Sequence, residues 1–348
     1  MMGTGLLLAE VHVCTVCELG AGGVSIMSMA ERTLGKMGSR AASAAYLLIH
    51  YALLVAYTSK SGEIIARATG MNASTSSVVF ATLVGVLIFK SNTRQMDAGN
   101  TILLCGVIAS FTVLLVLASP LVNPENVIGQ VHWIEVPGTL PVICLSFVYH
   151  NVVPVVSTQL EGDVTKIRTS IVVGTAVPLF MFLLWNLVIL GSVDANIDMN
   201  TFDPLAQLEL SSSLVAPWVQ IFSLFAIASS FVGFVLGLTD FLGDAFNLRS
   251  GNKEPLPYLL TIVPPLIIAI TYPGLFLSAL NVAGTYGVMI LFGIMPATMA
   301  YMQRYRLRMV PMTILPSPVN LVPGGKPVLI SIAGISTAII VTQFFAEK

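Results

Sequence analysis

The sequence predicts an all-α polytopic membrane protein, and three observations lead to that class. Hydrophobic residues make up 55% of the 348 positions and charged residues only 9%, with a mean hydropathy of +0.88. Soluble domains carry about 25% charged residues, so this chain cannot cover a water-facing surface with so few. Apolar stretches of about 20 residues, the length a helix needs to cross a hydrocarbon core of about 30 Å, recur between charged or Pro/Gly-rich borders. Basic residues gather in alternate connections. The formal net charge of −1, without a basic run, excludes nucleic acid as a partner.

In chain order, a stub at 1–13 comes first, carrying Glu10 and His12 and too short to cross a bilayer. Nine spans follow at 42–66, 76–91, 101–121, 138–159, 170–192, 216–246, 257–273, 275–302 and 327–345, so that residues 1–348 read as a single transmembrane domain. The first begins after Arg40, the second ends at Lys90 and the third follows Arg94 and Asp97. Gly138 opens the fourth; the loop "EGDVTKIR" separates it from the fifth. Pro217 starts the sixth and Asp244 closes it; Pro255 and Pro273 bracket the seventh, Arg304 stops the eighth and Pro327 starts the ninth. Of the 16 basic residues, 13 fall in the connection after the stub and after every second span: Arg32, Lys36, Arg40, Lys90, Arg94, Lys166, Arg168, Arg249, Lys253, Arg304, Arg306, Arg308 and Lys326. That asymmetry is the positive-inside signature and supports the number of spans. No targeting segment is legible behind Met1; either the native start lies upstream or insertion uses an internal span.

Polar residues within such spans are functional candidates, each with a plainer alternative. Lys60 and Glu63, three apart, can pair on one helix face. Asp240 and Asp244 fit interfacial anchors or partners of Arg249, His50 a satisfied core histidine, and Gly233-x-x-x-Gly237 close helix packing. Cys14-x-x-Cys17 lacks the second pair a structural zinc needs and reads as two small apolar residues. The segment "SFVYHNVVPVV", Ser146 to Val156, stands apart. It puts His150 and Asn151 near midspan with Pro154, which has no N–H to donate and disfavours helical dihedrals at Val153. Freed backbone groups at that depth are tolerated only against protein or a cavity, and secondary transporters use such broken helices to hold substrate and ion. A simple proline kink with a buried His–Asn pair is the other reading. Ser229 and Ser230, with Ala226 one turn earlier, offer oxygens suited to a hard cation, although serine in a membrane helix also bonds back to its own carbonyls.

On these residues the chain resembles the aromatic amino acid permeases, the tryptophan- and tyrosine-specific transporters of the amino acid–polyamine–organocation superfamily. The match runs over essentially all 348 residues and is carried by "SFVYHNVVPVVSTQLEGDVTKIRTSIVVGTAVPLFMFLLWNLVILGSV", "FAIASSFVGFVLGLTDFLGDAF" and "TIVPPLIIAITYPGLFLSALNVAG". It is similar above all to plant tyrosine-specific transport proteins. The resemblance implies a leucine-transporter-type inverted-repeat fold in which the 138–159 span is the sixth helix and Ser146–Pro154 its break. It places Tyr57 toward the substrate and Ala226, Ser229 and Ser230 at cation-site positions, without choosing between H⁺ and Na⁺. Phe147, Phe231 and Phe234 join Tyr57 as candidate walls, since stacking on a ring rewards aromatic substrates.

The resemblance further implies an aromatic L-amino acid, tyrosine or tryptophan, as substrate, moved by ion-coupled symport (H⁺) and alternating access. It implies no cofactor beyond the coupling ion, no enzymatic activity, and the bilayer as surroundings: a chloroplast envelope in a plant, otherwise a plasma membrane. The four histidines, His12, His50, His132 and His150, are scattered and support no catalytic constellation. The family's first broken helix has no match here. The chain is therefore expected to be N-terminally truncated, with the polar groups around His150 and Asn151 exposed, and to insert yet accumulate nothing alone. A transport-incompetent isoform or regulatory subunit is the alternative.

Overall fold

The computed structural model describes residues 1–19, 24–129, 136–192, 208–209, 212–246, 254–272, 274–307 and 320–346. These are helical almost throughout, and among them there is no strand. Among the described residues eight helices are long and apolar enough to cross a membrane, with a ninth, Pro255–Thr271, shorter. His132, Arg249, Lys253, Arg308 and Lys348 lie outside the described residues.

The order is α1 (Met2–Leu19), α2 (Ile26–Thr69), α3 (Ala73–Lys90), α4 (Thr93–Ala118), α5 (Pro124–Gly129), α6 (Val136–Ser146), α7 (Val153–Gln159), α8 (Val164–Ser192), α9 (Ala216–Ala245), α10 (Pro255–Thr271), α11 (Phe276–Val282), α12 (Met295–Tyr301) and α13 (Gly325–Ala346). Two π-helical stretches, Ala283–Ile294 and Met302–Leu307, flank α12. Several elements outrun their expected bounds, the first two among them. The stub expected to stop at Val13 continues as helix to Leu19, because nothing in "CTVCEL" breaks a helix before Gly20. The first span, expected from residue 42, starts at Ile26 and bends at Gly35, whose backbone (φ 73, ψ −171) is non-helical. Its polar lead-in is helical without being apolar, so hydropathy alone missed it.

The chain folds into two compact units, each assembled from separate stretches. Unit 1 comprises Met1–Ile49, Ile134–Leu179 and Leu280–Lys348; unit 2 comprises His50–Trp133 and Phe180–Ala279. In unit 1, α1 is a central element: Leu7, Leu8, Ala9 and Val11 are all buried, and it packs against α7, α12 and the first π-helix. In unit 2, α9 packs against α4 and α10, and α10 against α3. Leu114, Ala118, Val188, Val215 and Val219 share one apolar cluster there.

Prolines inside these helices follow one rule. Each removes the donor for the carbonyl four residues earlier, and hydrocarbon offers no water to replace it. Pro141 in α6 frees the Pro137 carbonyl, and Gln343 Nε2 donates to it at 3.0 Å. Pro264 in α10 frees the Leu260 carbonyl, which accepts from the Tyr51 hydroxyl at 2.9 Å. In these two ladders a side chain from another helix takes the freed carbonyl.

Candidate functional site

The expected break is present. α6 ends at Ser146, and α7 begins at Val153 after a short 3₁₀ turn, His150–Val152. Across the gap the bonding contracts from i−4 to i−3, with Phe147 N–H to Cys144 O (3.2 Å), Val148 N–H to Leu145 O (3.0 Å) and Val152 N–H to Tyr149 O (2.9 Å). Tyr149, at φ −133 and ψ 4, is not helical. Pro154 sits in the first turn of α7, where no backbone donor is needed. It starts the second half-helix and does not kink a continuous one.

His150 is fully buried. The expectation of polar groups exposed at the break does not hold for it, because α1 covers the gap. Gly5 makes room, since a Cβ there would collide with the Tyr149 hydroxyl. The Thr4 hydroxyl donates to Met1 O at 2.8 Å and meets His150 Nε2, also at 2.8 Å. The Met1 carbonyl also accepts from the Gly5 N–H at 3.0 Å, so the Thr4 hydroxyl is free to donate to the imidazole or accept from it. The ring stacks on Phe292, centroids 4.7 Å apart, and lies beside Tyr149 at 4.9 Å. His150 Nδ1, Asn151 Oδ1 and the Ser157 hydroxyl oxygen are buried without a protein partner. Ser146, by contrast, is exposed, with its hydroxyl bonded back to Val142 O, and Phe147 is partly buried in the turn.

The other candidates belong to unit 2. Tyr57 and Phe234 are neighbours, ring centroids 5.9 Å apart, and Ser230 is hydrogen-bonded to Tyr57. His50, two turns before Tyr57 on α2, meets Phe234 edge-on at 5.0 Å. A candidate wall residue, a candidate ion-site serine and a histidine read as core therefore form one cluster. The seven-residue spacing of His50 and Tyr57 was the available signal for it. Phe231 points elsewhere: it is buried against Phe80 at 5.1 Å. Ser229 donates to Asn100 Oδ1 on α4 at 3.2 Å, and Ala226 is partly buried. Lys60 and Glu63 pair as expected, at 3.3 Å. Among the described residues no three His, Cys, Asp or Glu side chains come together in a way that could hold a metal.

One constellation went unrecognised in the sequence. Glu10 of α1, fully buried, takes a two-pronged bond from Arg304, Nε to Oε1 and Nη2 to Oε2, each at 2.6 Å. Leu321 N–H adds a third donor at 2.9 Å, and Arg304 also reaches Val322 O at 3.2 Å. Arg168 holds the Leu321 carbonyl at 3.3 Å. The pair thus ties α1 to the second π-helix and to the segment leading into α13, 294 residues apart in sequence.

Comparison with known proteins agrees with this architecture. The chain is 29% identical over 298 residues to "Tyrosine-specific transport system 2" of Haemophilus influenzae, covering 81% of this chain and 72% of that protein. It is 28% identical over 341 residues to a "Tryptophan-specific transport protein" of Pseudomonas aeruginosa, covering 91% and 79%. It is 27% identical over 292 residues to "Glutamine transporter 2" of Aliivibrio fischeri, covering 80% and 72%. These relatives are transporters, not enzymes. The tryptophan/tyrosine permease family model matches residues 1–342, and the chain belongs to that family.

Proposed function

We propose that this protein is a secondary transporter of aromatic amino acids, tyrosine or tryptophan, coupled to H⁺ and working by alternating access. The observation that carries the reading is the interruption between α6 and α7, where His150 Nδ1 and the acceptor Asn151 Oδ1 are buried polar atoms without partners. An unpartnered buried acceptor costs about 1–3 kcal/mol, a burden that a bound ammonium group would relieve. The α-ammonium of an amino acid is such a donor, and half-helix ends beside it supply partial charge for the carboxylate. Within unit 2, the rings of Tyr57 and Phe234, with Ser230 on the tyrosine, form an aromatic surface with one polar handle. The membrane would be the chloroplast envelope in a plant cell and the plasma membrane in a bacterium.

The protein expressed from its own gene, reconstituted in liposomes under an imposed proton gradient, tests this. Labelled tyrosine or tryptophan is expected to accumulate, and His150→Ala to lower uptake beyond any loss of abundance. Equal uptake of glutamine or alanine would remove the aromatic assignment, and accumulation that ignores the proton gradient would remove the coupling ion.

A further inference from the structure

Between α3 and α10, within unit 2, runs a groove of about 340 Å³ that the transport reading does not use. Its floor follows one stripe of each helix: Ala81, Gly85 and Phe89 on α3, and Tyr258, Ile262 and Leu266 on α10. Apart from the Thr82 hydroxyl and the Tyr258 phenol, the side chains lining it are apolar. Gly85 sets its depth, since a Cβ there would stand 2.6 Å from Ile262 Cδ1. The rim is open, with Val86 and Leu259 44% and 57% exposed. Phe89 and Tyr258 close one end edge-to-face at 5.1 Å. At that end Lys90, exposed, follows Phe89 as the last residue of α3, and Glu254, also exposed, precedes Pro255 at the start of α10.

We propose that this groove holds one acyl chain of a glycerophospholipid from the basic-side leaflet, with its phosphate at Lys90. Three features select that occupant. An open apolar cleft on a membrane-crossing helix has lipid as its solvent, and its volume falls in the range of about 300–1,000 Å³ typical of small-ligand sites. α10 has only 17 residues, about 26 Å of helix at about 1.5 Å per residue, against a hydrocarbon core of about 30 Å. The bilayer must adjust beside it, and an ordered chain does so locally. A cation and an anion at the polar mouth, Lys90 and Glu254, suit the phosphate and the ammonium of a zwitterionic headgroup. A second copy of the chain is the poorer fit, because a specific protein interface buries on the order of 1,000 Å² or more, whereas this feature is a narrow slot.

The test uses the full chain in phosphatidylcholine vesicles containing a phosphatidylcholine with a photoreactive diazirine in its acyl chain. Labelling of residues 81–89 and 255–266 is expected to exceed that of the exposed face of α8, at Phe180 and Leu183, by about tenfold, a preference of about 1.4 kcal/mol. Val86→Trp and, separately, Thr82→Phe plug the groove from its exposed rim and should abolish the excess while leaving the melting temperature unchanged. Lys90→Glu should reduce it. Labelling spread evenly over all outward helices would overturn the proposal. So would dimer formation on oxidation of a Val263→Cys variant in the membrane that the same chain with Val263 intact does not show, which would make a second copy the occupant.

Discussion

Replacing Glu10 by alanine would leave the Arg304 guanidinium, only 10% exposed, facing an apolar cavity, and would strip the Leu321 N–H of its acceptor. Removing one partner of a buried ion pair costs about 3–5 kcal/mol, mostly through the charge left behind. For a domain of this size that corresponds to a melting temperature lower by roughly 10 °C. Arg304→Met should cost about as much, because it strands the fully buried carboxylate. The double variant Glu10→Leu with Arg304→Met removes both charges and should be no worse than the poorer single variant. The two sites would then couple by about 2 kcal/mol or more. Glu10→Gln, which keeps the shape and one acceptor, should fall between wild type and Glu10→Ala. Heating the detergent-purified protein and following the surviving monodisperse fraction by size-exclusion chromatography reads all four variants. The reasoning fails if Glu10→Ala melts within about 2 °C of wild type, or if the losses of the two single variants simply add.

Three further outcomes follow from other contacts. Gln343→Leu should destabilise by about 1–3 kcal/mol by orphaning the Pro137 carbonyl, whereas adding Pro141→Ala, which restores the helical donor, should recover most of the loss in the same melting assay. Ser230→Ala should alter tyrosine uptake through its bond to Tyr57, and Ser229→Ala should mainly loosen the contact with Asn100; equal effects on uptake from both would contradict that division. Asp163, in the loop between α7 and α8, accepts from the backbone N–H groups of Lys166 and Thr165, and the former above all holds its carboxyl below the usual carboxylate range. A depressed carboxyl stabilises above its ordinary pKa and loses that contribution as pH falls through the lowered value. Protection of the Thr165 and Lys166 amides against exchange, taken relative to the intrinsic rate at each pH, should therefore fall in that acid window, and Asp163→Asn should erase that change.

The break was legible because its chemistry is local. A histidine, an asparagine and a proline within five residues of an otherwise apolar run cannot be reconciled with an unbroken lipid-facing helix, whatever surrounds them. Tyr57, Phe234 and Phe231 were singled out together as rings suited to an aromatic guest, and the structure sets Tyr57 beside Phe234 but not beside Phe231. Three positions before Phe234 on the same helix, it turns into a core against Phe80. The π-helical stretches at Ala283–Ile294 and Met302–Leu307 had no signature in hydropathy, which records how oily a segment is and not how its turns are wound.

The sequence by itself determined the solvent, the helical class and the approximate spans, because burying backbone in hydrocarbon demands long apolar helices and charge asymmetry orients them. It also marked where one helix must part. Only the tertiary structure decided who completes the unsatisfied groups. Thr4 answers His150, Gln343 answers Pro137, Tyr51 answers Leu260 and Arg304 answers Glu10, across separations of 146, 206, 209 and 294 residues. A buried donor or acceptor states that it needs a partner without saying which one. That choice rests on which helices pack side by side, and many pairings of nine apolar spans would satisfy the same hydropathy pattern.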